Sequence, residues 1–404
     1  MVNDPVEVAI VTRSAHPDFL DLPWHEPLAR WGTARLVRMA HGVSRHVVRF
    51  VRYGQRVYAL KETDTAHAEA EYRTLRALFN ERLPVVEPVG YVHSRASNGG
   101  AVLITRYLDF SLPYWYVLGR EAPASTQVLV DAAVVLLVRL HLAGVFWGDC
   151  SLSNVLFRRD AGALMAYLVD AETTEQRPSI SDRLRSRDLD IAHENFAGGL
   201  LDLQAAGRVP GAVDPIDVAD DLRSRYRELW GELTRTDRLD ATERWRIDSR
   251  VRRINELGFD VEELALRTAE GGHVLDITPS LVEEGHHARE LRQRTGLEVQ
   301  ENQARRLLAD IENFRARLGE HDGRSVPAGV AAARWLAEVY EPVVDAIPPA
   351  LRSRLEPAEI FHQLLEHRYL MAERTGHEIS NGNALADYLA TILPTWPDEQ
   401  HFVE

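Results

Sequence analysis

A single lysine constrains this sequence more than any other feature. The chain has 404 residues and 47 lysines plus arginines, and all of these except Lys61 are arginine. Lysine and arginine differ at sites that need a compact, pointed ammonium group instead of a planar guanidinium. Lys61 ends a short run of strand-forming residues that begins at Val57 and follows a strand pattern over 47–53 and a Gly54-Gln55 turn. The sequence therefore predicts a β-hairpin with this lysine near the end of its second strand.

Further along the chain, acidic and amide side chains recur at a spacing that suits phosphoryl transfer. Asp149 and Asn154 are five residues apart in a loop after an apolar helix predicted over 126–142, and Asp170 follows sixteen residues later. Two short strands joined by a turn at Asp160-Ala161-Gly162 separate Asn154 from Asp170. One carboxylate can orient and deprotonate an acceptor hydroxyl, while an amide oxygen and a second carboxylate are hard ligands for Mg²⁺ bound to ATP. A lysine on an earlier strand would hold the phosphates as a point charge.

The order and spacing of these residues resemble the protein-kinase-like superfamily. In the helix predicted after Lys61, Glu71 lies four residues before Leu75, as expected for the ion-pair partner of the lysine, and Glu69 is the less favoured candidate. The resemblance implies the following roles: the catalytic base is Asp149, the metal ligands are Asn154 and Asp170, the phosphate-binding lysine is Lys61 and its anchor is Glu71. It also implies the cofactors of that superfamily, ATP and Mg²⁺.

The resemblance points to particular branches of the superfamily. In ordinary protein kinases an arginine precedes the catalytic aspartate, but Trp147-Gly148-Asp149 has a glycine there. In this respect the sequence resembles aminoglycoside phosphotransferases and lipopolysaccharide core kinases. The likeness covers roughly residues 35–200. The whole chain, including 338–343 and 355–362, resembles actinobacterial proteins grouped as domain of unknown function 4032, and that label implies no established activity.

The sequence departs from the superfamily pattern in two places. The glycine-rich loop has one glycine where the usual motif has three, so phosphate contacts are expected from Gly42, Ser44 and backbone amides. The Phe-Gly that usually follows the metal-binding aspartate is Ala171-Glu172, which leaves Glu172 either an added metal ligand or a solvent-facing residue. No activation segment with a clear phosphorylation site follows, so a protein-kinase switch is not predicted.

These departures leave three functions open. The first is an ATP- and Mg²⁺-dependent phosphotransferase that acts on a hydroxyl of an unknown small-molecule, glycan or protein acceptor. The second is a nucleotide-binding pseudokinase that acts as a regulatory or scaffolding module. The third is adenylyl transfer on the same fold, since the metal site would be the same and only the product would differ.

The predicted fold class is α+β, with a two-lobed protein-kinase-like fold and an added all-helical domain. The expected divisions are an N-terminal extension (1–34), a lobe with a small antiparallel sheet (35–108), a helical lobe with the catalytic loop (109–235) and a helical C-terminal domain (236–404). Helical patterns dominate beyond residue 183, including 243–257 and 282–318. The C-terminal domain could also bind a protein partner.

Composition excludes several other classes of protein. The 61 acidic residues outnumber the basic ones and give a formal net charge of −14, which disfavours nonspecific binding to nucleic acid or anionic membranes. Cys150 is the only cysteine, so no intrachain disulfide can form. The apolar run Leu129–Val138 is too short to span a bilayer and no signal peptide is recognisable, so a cytoplasmic protein without a membrane span is expected.

Four other groups of residues are candidates for sites or for support of a site. Cys150 has no histidine placed to activate it, so packing in the loop is the favoured interpretation. Glu359 and His362 could share a metal, with His367 near them, but no second carboxylate–histidine pair matches, so a solvated or interfacial helix face is favoured. His141 is expected to support the catalytic loop. Asp188 and Asp190 are candidates for tying the same loop down through its backbone amides.

Overall fold

The computed structural model describes residues 8–39, 45–94, 100–120, 124–209, 211, 213–235, 237–240, 249, 261–268, 274–281, 285–323 and 325–400. The chain folds into two compact units. The first is built mainly from Met1–Arg158 and Ala166–Glu228, and the second from Arg159–Met165 and Leu229–Phe402. None of the helices described combines the length and the apolar character that a bilayer crossing requires.

The first unit begins with a six-stranded sheet in the order β1-β5-β6-β4-β3-β2. The elements are β1 (Val8–Thr12), a 3₁₀ turn (Leu28–Arg30), β2 (Leu36–Val37), β3 (Val48–Tyr53), β4 (Arg56–Asp64), α1 (Thr65–Asn80), β5 (Pro88–Ser94) and β6 (Gly100–Arg106). Every pairing is antiparallel, which confirms the predicted sheet. Lys61 lies opposite Val48 on one side and Leu103 on the other, so the strand that carries it is fixed on both edges.

Residues before 35, which the sequence sets apart as an extension, take part in this sheet. β1 is its edge strand and pairs with β5 from Val8↔Ser94 to Thr12↔Gly90. The loop after β1 places Phe19, Leu28 and Trp31 in one buried cluster with side chains of the central strands. Burying such large apolar side chains contributes about 1.5–3 kcal/mol each, so this segment helps to hold the sheet that presents Lys61.

The rest of the first unit is mostly helical. Its elements are β7 (Ser111–Pro113), α2 (Tyr114–Arg120), α3 (Ala124–Leu142), β8 (Val145–Phe146), a 3₁₀ turn (Leu152–Asn154), β9 (Val155–Asp160), β10 (Ala163–Leu168), β11 (Glu175–Gln176), α4 (Asp182–Ala205) and α5 (Pro215–Thr234). The turn region of β9 and β10 (Arg159–Met165) and the end of α5 from Leu229 are part of the second unit. The predicted apolar helix is α3, and its run from Leu129 is largely buried. Val86 N–H donates to Leu168 O at 3.0 Å, and Leu168 N–H donates to Pro84 O at 2.9 Å. These bonds tie the end of β10, and so Asp170, to the segment after α1.

The second unit is helical from His286 onward, as predicted, but a three-stranded sheet precedes the helices. The strands are β12 (Asp237–Asp240), β13 (Val261–Thr268) and β14 (Val274–Leu281), in the order β12-β14-β13. The expectation of helix alone from residue 236 is therefore wrong for this segment. Adjacent acidic residues in β13 and Pro279 in β14 interrupt any clean alternation, so the strands depend on pairing with one another more than on local pattern. The helix predicted over 243–257 lies outside the described residues, Ser249 apart.

The remaining helices pack around one core. They are α6 (His286–Thr295), α7 (Glu301–Asp322), α8 (Ala328–Trp335), a π-helical turn (Leu336–Tyr340), α9 (Glu341–Asp345), a 3₁₀ turn (Pro349–Leu351), α10 (Pro357–Thr375), α11 (Asn381–Thr391) and a 3₁₀ turn (Leu393–Thr395). The single helix predicted over 282–318 is two helices, because Gly296 adopts a left-handed φ of 79° that ends α6. The fully buried Trp335 stacks on Tyr340 and meets Phe361 edge to face in this core.

Candidate active site

Lys61 is at the centre of a cluster of carboxylates in the first unit. Its Nζ lies 2.7 Å from Asp170 Oδ2, 3.0 Å from Glu71 Oε2 and 3.4 Å from Glu172 Oε2. The side chain is only 12% exposed. Burial disfavours the charged form of this lysine, but Glu71 and then Asp170 outweigh that cost and raise its pKa. The ammonium is therefore charged and held among its carboxylate partners.

Glu71 joins the lysine to the backbone beside Asp170. It lies on α1, whose start is fixed by Asp64, which accepts the backbone N–H of His67 at 3.0 Å. Besides the lysine, Glu71 accepts the backbone N–H of Ala171 at 3.3 Å. Its almost complete burial, together with the charge of Asp170, raises its pKa to about 7. The alternative partner, Glu69, pairs instead with Arg73 on the surface of the same helix.

The loop between β8 and β9 presents Asp149 to the same cleft. Asn154 Nδ2 donates to Asp149 Oδ2 at 3.1 Å and to its backbone oxygen at 3.2 Å. These bonds leave the amide oxygen of Asn154 as the end of the side chain suited to a metal. Gly148, before the aspartate, has a left-handed φ of 81°, and an added Cβ would lie 2.9 Å from the carbonyl oxygen of Thr173. Local geometry therefore requires glycine where ordinary protein kinases have arginine.

Asp188, on α4, stabilises the backbone of this loop. Its carboxylate accepts the backbone N–H groups of Trp147 and Gly148, both at 2.8 Å, and lies 3.0 Å from His141 Nε2. His141 is buried, which lowers its pKa, and its Nδ1 lies 2.5 Å from the hydroxyl of Tyr226. The structure thus confirms that Asp188 and His141 support the loop. Asp190 pairs with Arg223 instead.

Asp170 and Glu172 complete the charged wall of the site. Although burial opposes it, the charge of Lys61 lowers the pKa of Asp170, whose Oδ1 also accepts the backbone N–H of Glu172 at 3.0 Å. Glu172 faces Lys61 and also lies 3.2 Å from His46 Nε2. Within the described residues, one set of metal-ligating side chains is compact enough to hold a metal ion. It consists of Glu71, Asp170 and Glu172, whose ligand atoms lie within 4.8 Å of one another. Such hard oxygen donors fit Mg²⁺.

Four of these charged residues, Lys61, Asp149, Asp170 and Glu172, line a cavity of about 210 Å³ in the first unit. Part of the lining is apolar, and the side chains concerned are Val48, Phe50, Ala59, Val86, Leu103, Leu108, Leu156 and Val169. A cavity lined by apolar side chains, a cation and several carboxylates can accommodate a flat base together with metal-bound phosphates. Two of the residues expected to hold phosphate, Gly42 and Ser44, lie outside the described residues.

Sequence reasoning missed Asn195. Its Nδ2 donates to Asp149 Oδ1 at 3.2 Å and to Cys150 O at 3.3 Å. A signal was present, because Asn195 follows Asp188 by seven residues in a helical pattern, which puts both on one face of α4. Once Asp188 is assigned to the loop, that spacing points Asn195 at the same loop.

The other cysteine and histidine candidates have structural contacts. Cys150 is buried, and burial raises the pKa of its thiol well above the usual value, so it is no ready nucleophile. In the second unit Glu359 accepts the N–H of Ala161 at 2.9 Å, while His362 pairs with Glu366 and His367 with Asp387. Glu359 and His362 are buried, which excludes the solvated alternative for this helix face and leaves the interfacial one, and the two histidines face different carboxylates.

Comparisons with known proteins agree with this geometry. Residues 25–207 match the model of the lipopolysaccharide kinase (Kdo/WaaP) family, and residues 228–393 match the domain of unknown function DUF4032. No curated protein sequence matches the chain significantly. Among solved structures, WaaP in complex with acyl carrier protein is 17% identical, with 54% of this chain and 89% of that chain covered and a TM-score of 0.32. The BubR1 kinase domain is 14% identical, with 37% and 49% covered and a TM-score of 0.30, and these TM-scores are too low to add weight.

The fold and the lysine–carboxylate site thus define the first unit as a member of the protein-kinase-like superfamily. More narrowly, residues 25–207 are similar to the lipopolysaccharide kinase (Kdo/WaaP) family, and residues 228–393 are similar to the domain of unknown function DUF4032.

Proposed function

We propose that this protein is an ATP- and Mg²⁺-dependent phosphotransferase that acts on a hydroxyl group. One observation carries the proposal: the only lysine of the chain lies 2.7 Å from Asp170 and 3.0 Å from Glu71 and lines a cavity whose other lining residues are partly apolar. A buried cation that pairs with two carboxylates beside such a cavity is typical of a phosphate-binding site. The kinase-family match over residues 25–207 supports the same reaction class.

Each residue of the site then has a role in the reaction. Asp149 accepts the proton of the acceptor hydroxyl while the oxygen of that hydroxyl bonds to the γ-phosphorus of ATP. The bond between the γ-phosphorus and the β–γ bridging oxygen breaks, and ADP leaves. Lys61 binds the phosphates, and Glu71 holds the ammonium in place. Asn154 and Asp170 would hold Mg²⁺, which neutralises charge on the phosphate oxygens.

Two observations favour a second candidate, a nucleotide-binding pseudokinase. Glu172 stands in the Phe-Gly position that usually follows the metal-binding aspartate, and it also contacts Lys61 at 3.4 Å. Arg45, whose side chain is 90% exposed, lies 3.7 Å from Asp149 Oδ2. Both contacts engage groups that catalysis requires. A protein partner bound through the C-terminal domain stays a prediction of this second function.

The nucleotide formed from ATP distinguishes the phosphotransferase from the pseudokinase and from adenylyl transfer. The purified full-length protein is incubated with ATP and Mg²⁺, with water as the surrogate hydroxyl, and the nucleotide products are separated and quantified. We expect slow release of ADP and phosphate, lost in Asp149→Asn and retained in Glu194→Gln, a surface change on α4. Binding of ATP without any product supports the pseudokinase. Formation of pyrophosphate, with AMP gained by an acceptor, supports adenylyl transfer, and ADP release unchanged in Asp149→Asn contradicts the proposed mechanism.

A further inference from the structure

Helix α4 contacts the catalytic loop at two points on one face. Asp188 binds the backbone N–H groups just before Asp149, and Asn195, two turns later, reaches the Asp149 side chain itself. Residues seven apart in a helix differ by only about 20° around the axis, so both project toward the loop. The helix therefore supports the loop's backbone with one residue and its acidic side chain with the other.

The two oxygens of Asp149 are held by two different amides. Asn154 Nδ2 donates to Oδ2 at 3.1 Å, and Asn195 Nδ2 donates to Oδ1 at 3.2 Å. The second torsion of an aspartate is broad and roughly two-fold, so a carboxylate held at one oxygen alone retains rotational freedom. A donor on each oxygen fixes its plane. The second bond of Asn195, to Cys150 O at 3.3 Å, in turn fixes the amide.

We infer that Asn195 is a positioning residue for Asp149, an inference that rests on the proposed phosphotransferase function. Asn195 is not one of the residues that line the cavity, and it acts through Asp149, which is. The contact matters because Arg45 approaches the other oxygen of Asp149 from solvent and would draw a freely rotating carboxylate away from the acceptor. A displaced base costs rate while nucleotide binding is retained.

Three variants of α4 test this role in the full-length protein. Asn195→Ala removes the donor, and Asn195→Asp keeps the shape but places a like charge beside Asp149. Ser186→Asp adds the same charge on the opposite face of α4, since nine residues correspond to two and a half turns. We expect Asn195→Ala to lower the rate of ADP formation roughly ten- to hundredfold with the thermal shift produced by ATP and Mg²⁺ retained.

The split between kcat and KM separates positioning from a structural role. Asn195→Ala is expected to lower kcat and leave the KM for ATP within about threefold of wild type, because it changes the orientation of Asp149 and no group that binds the nucleotide. Asn195→Asp is expected to lower kcat at least as much, because it also removes the donor and places a like charge beside Asp149, whereas Ser186→Asp keeps the wild-type kcat. A merely structural asparagine would lower the melting temperature and leave kcat at the wild-type value well below that temperature. A kcat within twofold of wild type in Asn195→Ala, or equal losses of kcat in Asn195→Asp and Ser186→Asp, would overturn the inference.

A crystal structure of Asn195→Ala keeps the inference testable without turnover. Asp149 is expected to rotate out of the plane it holds in the wild type, with a contact to Arg45 shorter than the 3.7 Å of the wild type. A carboxylate that stays in the wild-type orientation would overturn the positioning role whatever the enzyme's rate. A wild-type protein without any turnover would instead contradict the proposed function, so the two failures are distinguishable.

Discussion

The two units of this protein each contain a group of buried acidic side chains, and the two groups differ in what the acids face. In the first unit, Glu71 and Asp170 converge on the ammonium of Lys61 at the edge of a cavity. In the second, Asp160 accepts the backbone N–H groups that begin α7, at 2.8 and 3.1 Å, and Glu359 accepts the N–H of Ala161. The first group retains oxygens that face a ligand-sized space, whereas the second satisfies backbone donors.

The comparison teaches that an acidic cluster alone does not mark a reactive site. Glu359 and His362 have the helical spacing of a metal pair, but their partners are a backbone amide, Gln303 and Glu366. The acids of the first unit, which we call the cleft acids, are Glu71 and Asp170. They share one cation, Lys61, at the edge of a cavity. Changes to the cleft group should therefore affect ligand binding and rate, and changes to the second group should affect stability.

The largest expected effect comes from the lysine. Lys61→Met should lower ADP formation roughly a hundredfold or more, because it removes the charge that we propose binds the phosphates and leaves Glu71 and Asp170 repelling each other. Lys61→Arg should not restore the rate, since the planar guanidinium cannot occupy the position of the Nζ. Arg73→Met, on the exposed face of α1, is the matched control and should retain the wild-type rate. The rates are measured under saturating ATP and Mg²⁺, and full activity in Lys61→Arg would contradict the assignment.

A smaller effect should follow from a substitution of Asp188. This residue lies in the first unit, but its carboxylate binds backbone N–H groups, as the acidic residues of the second unit do. Asp188→Asn turns one acceptor into a donor that faces a backbone N–H, so we expect a loss of about 1–3 kcal/mol in the free energy of unfolding. The rate should fall as well, roughly tenfold, because the loop that carries Asp149 loses a support. Asp190→Asn should change stability by less than about 0.5 kcal/mol, since its partner Arg223 lies near the surface. Equal effects of the two changes, measured by melting and ADP release, would remove the distinction.

The third expected effect is on stability alone, as a pH dependence of the second unit. Burial, which its two backbone bonds only partly offset, raises the pKa of Asp160 to about 6. The folded state therefore binds this proton more tightly than the unfolded chain, so the stability that protonated Asp160 contributes is present below about pH 4 and is lost as the pH rises to about 6. Asp160→Asn cannot titrate. The melting temperature of the wild type should thus fall relative to this variant between pH 4 and 7, by the equivalent of roughly 3 kcal/mol. A constant difference across that range would show that Asp160 does not titrate this way.

The elements around the lysine could be predicted because their signals are local. The hairpin of β3 and β4 has a glycine turn between two runs of strand-forming residues, and α1 and α3 have helical periodicity or an unbroken apolar run. The order of Lys61, Asp149 and Asp170 along the chain is likewise visible without a structure.

The parts that escaped prediction depend on contacts between distant residues. The strands β12, β13 and β14 form through pairing with each other. The helix break at Gly296 depends on a left-handed backbone conformation, and the sequence does not show which of its 25 glycines adopts one. Asn195 acts on Asp149 across 46 residues, so only the position of α4 beside the loop reveals it. The packing of Phe19 against Tyr58 is similarly a tertiary contact.

One titration tests the central claim most directly. Binding of ATP is measured by calorimetry, with and without Mg²⁺, for the wild type, Asp170→Ala and Glu359→Gln. If the cleft acids hold the metal–nucleotide complex and the acids of the second unit do not, the wild type and Glu359→Gln will bind ATP in a Mg²⁺-dependent manner, and Asp170→Ala will lose that dependence. Equal Mg²⁺-dependent binding by Asp170→Ala, or no ATP binding by the wild type, would contradict the account.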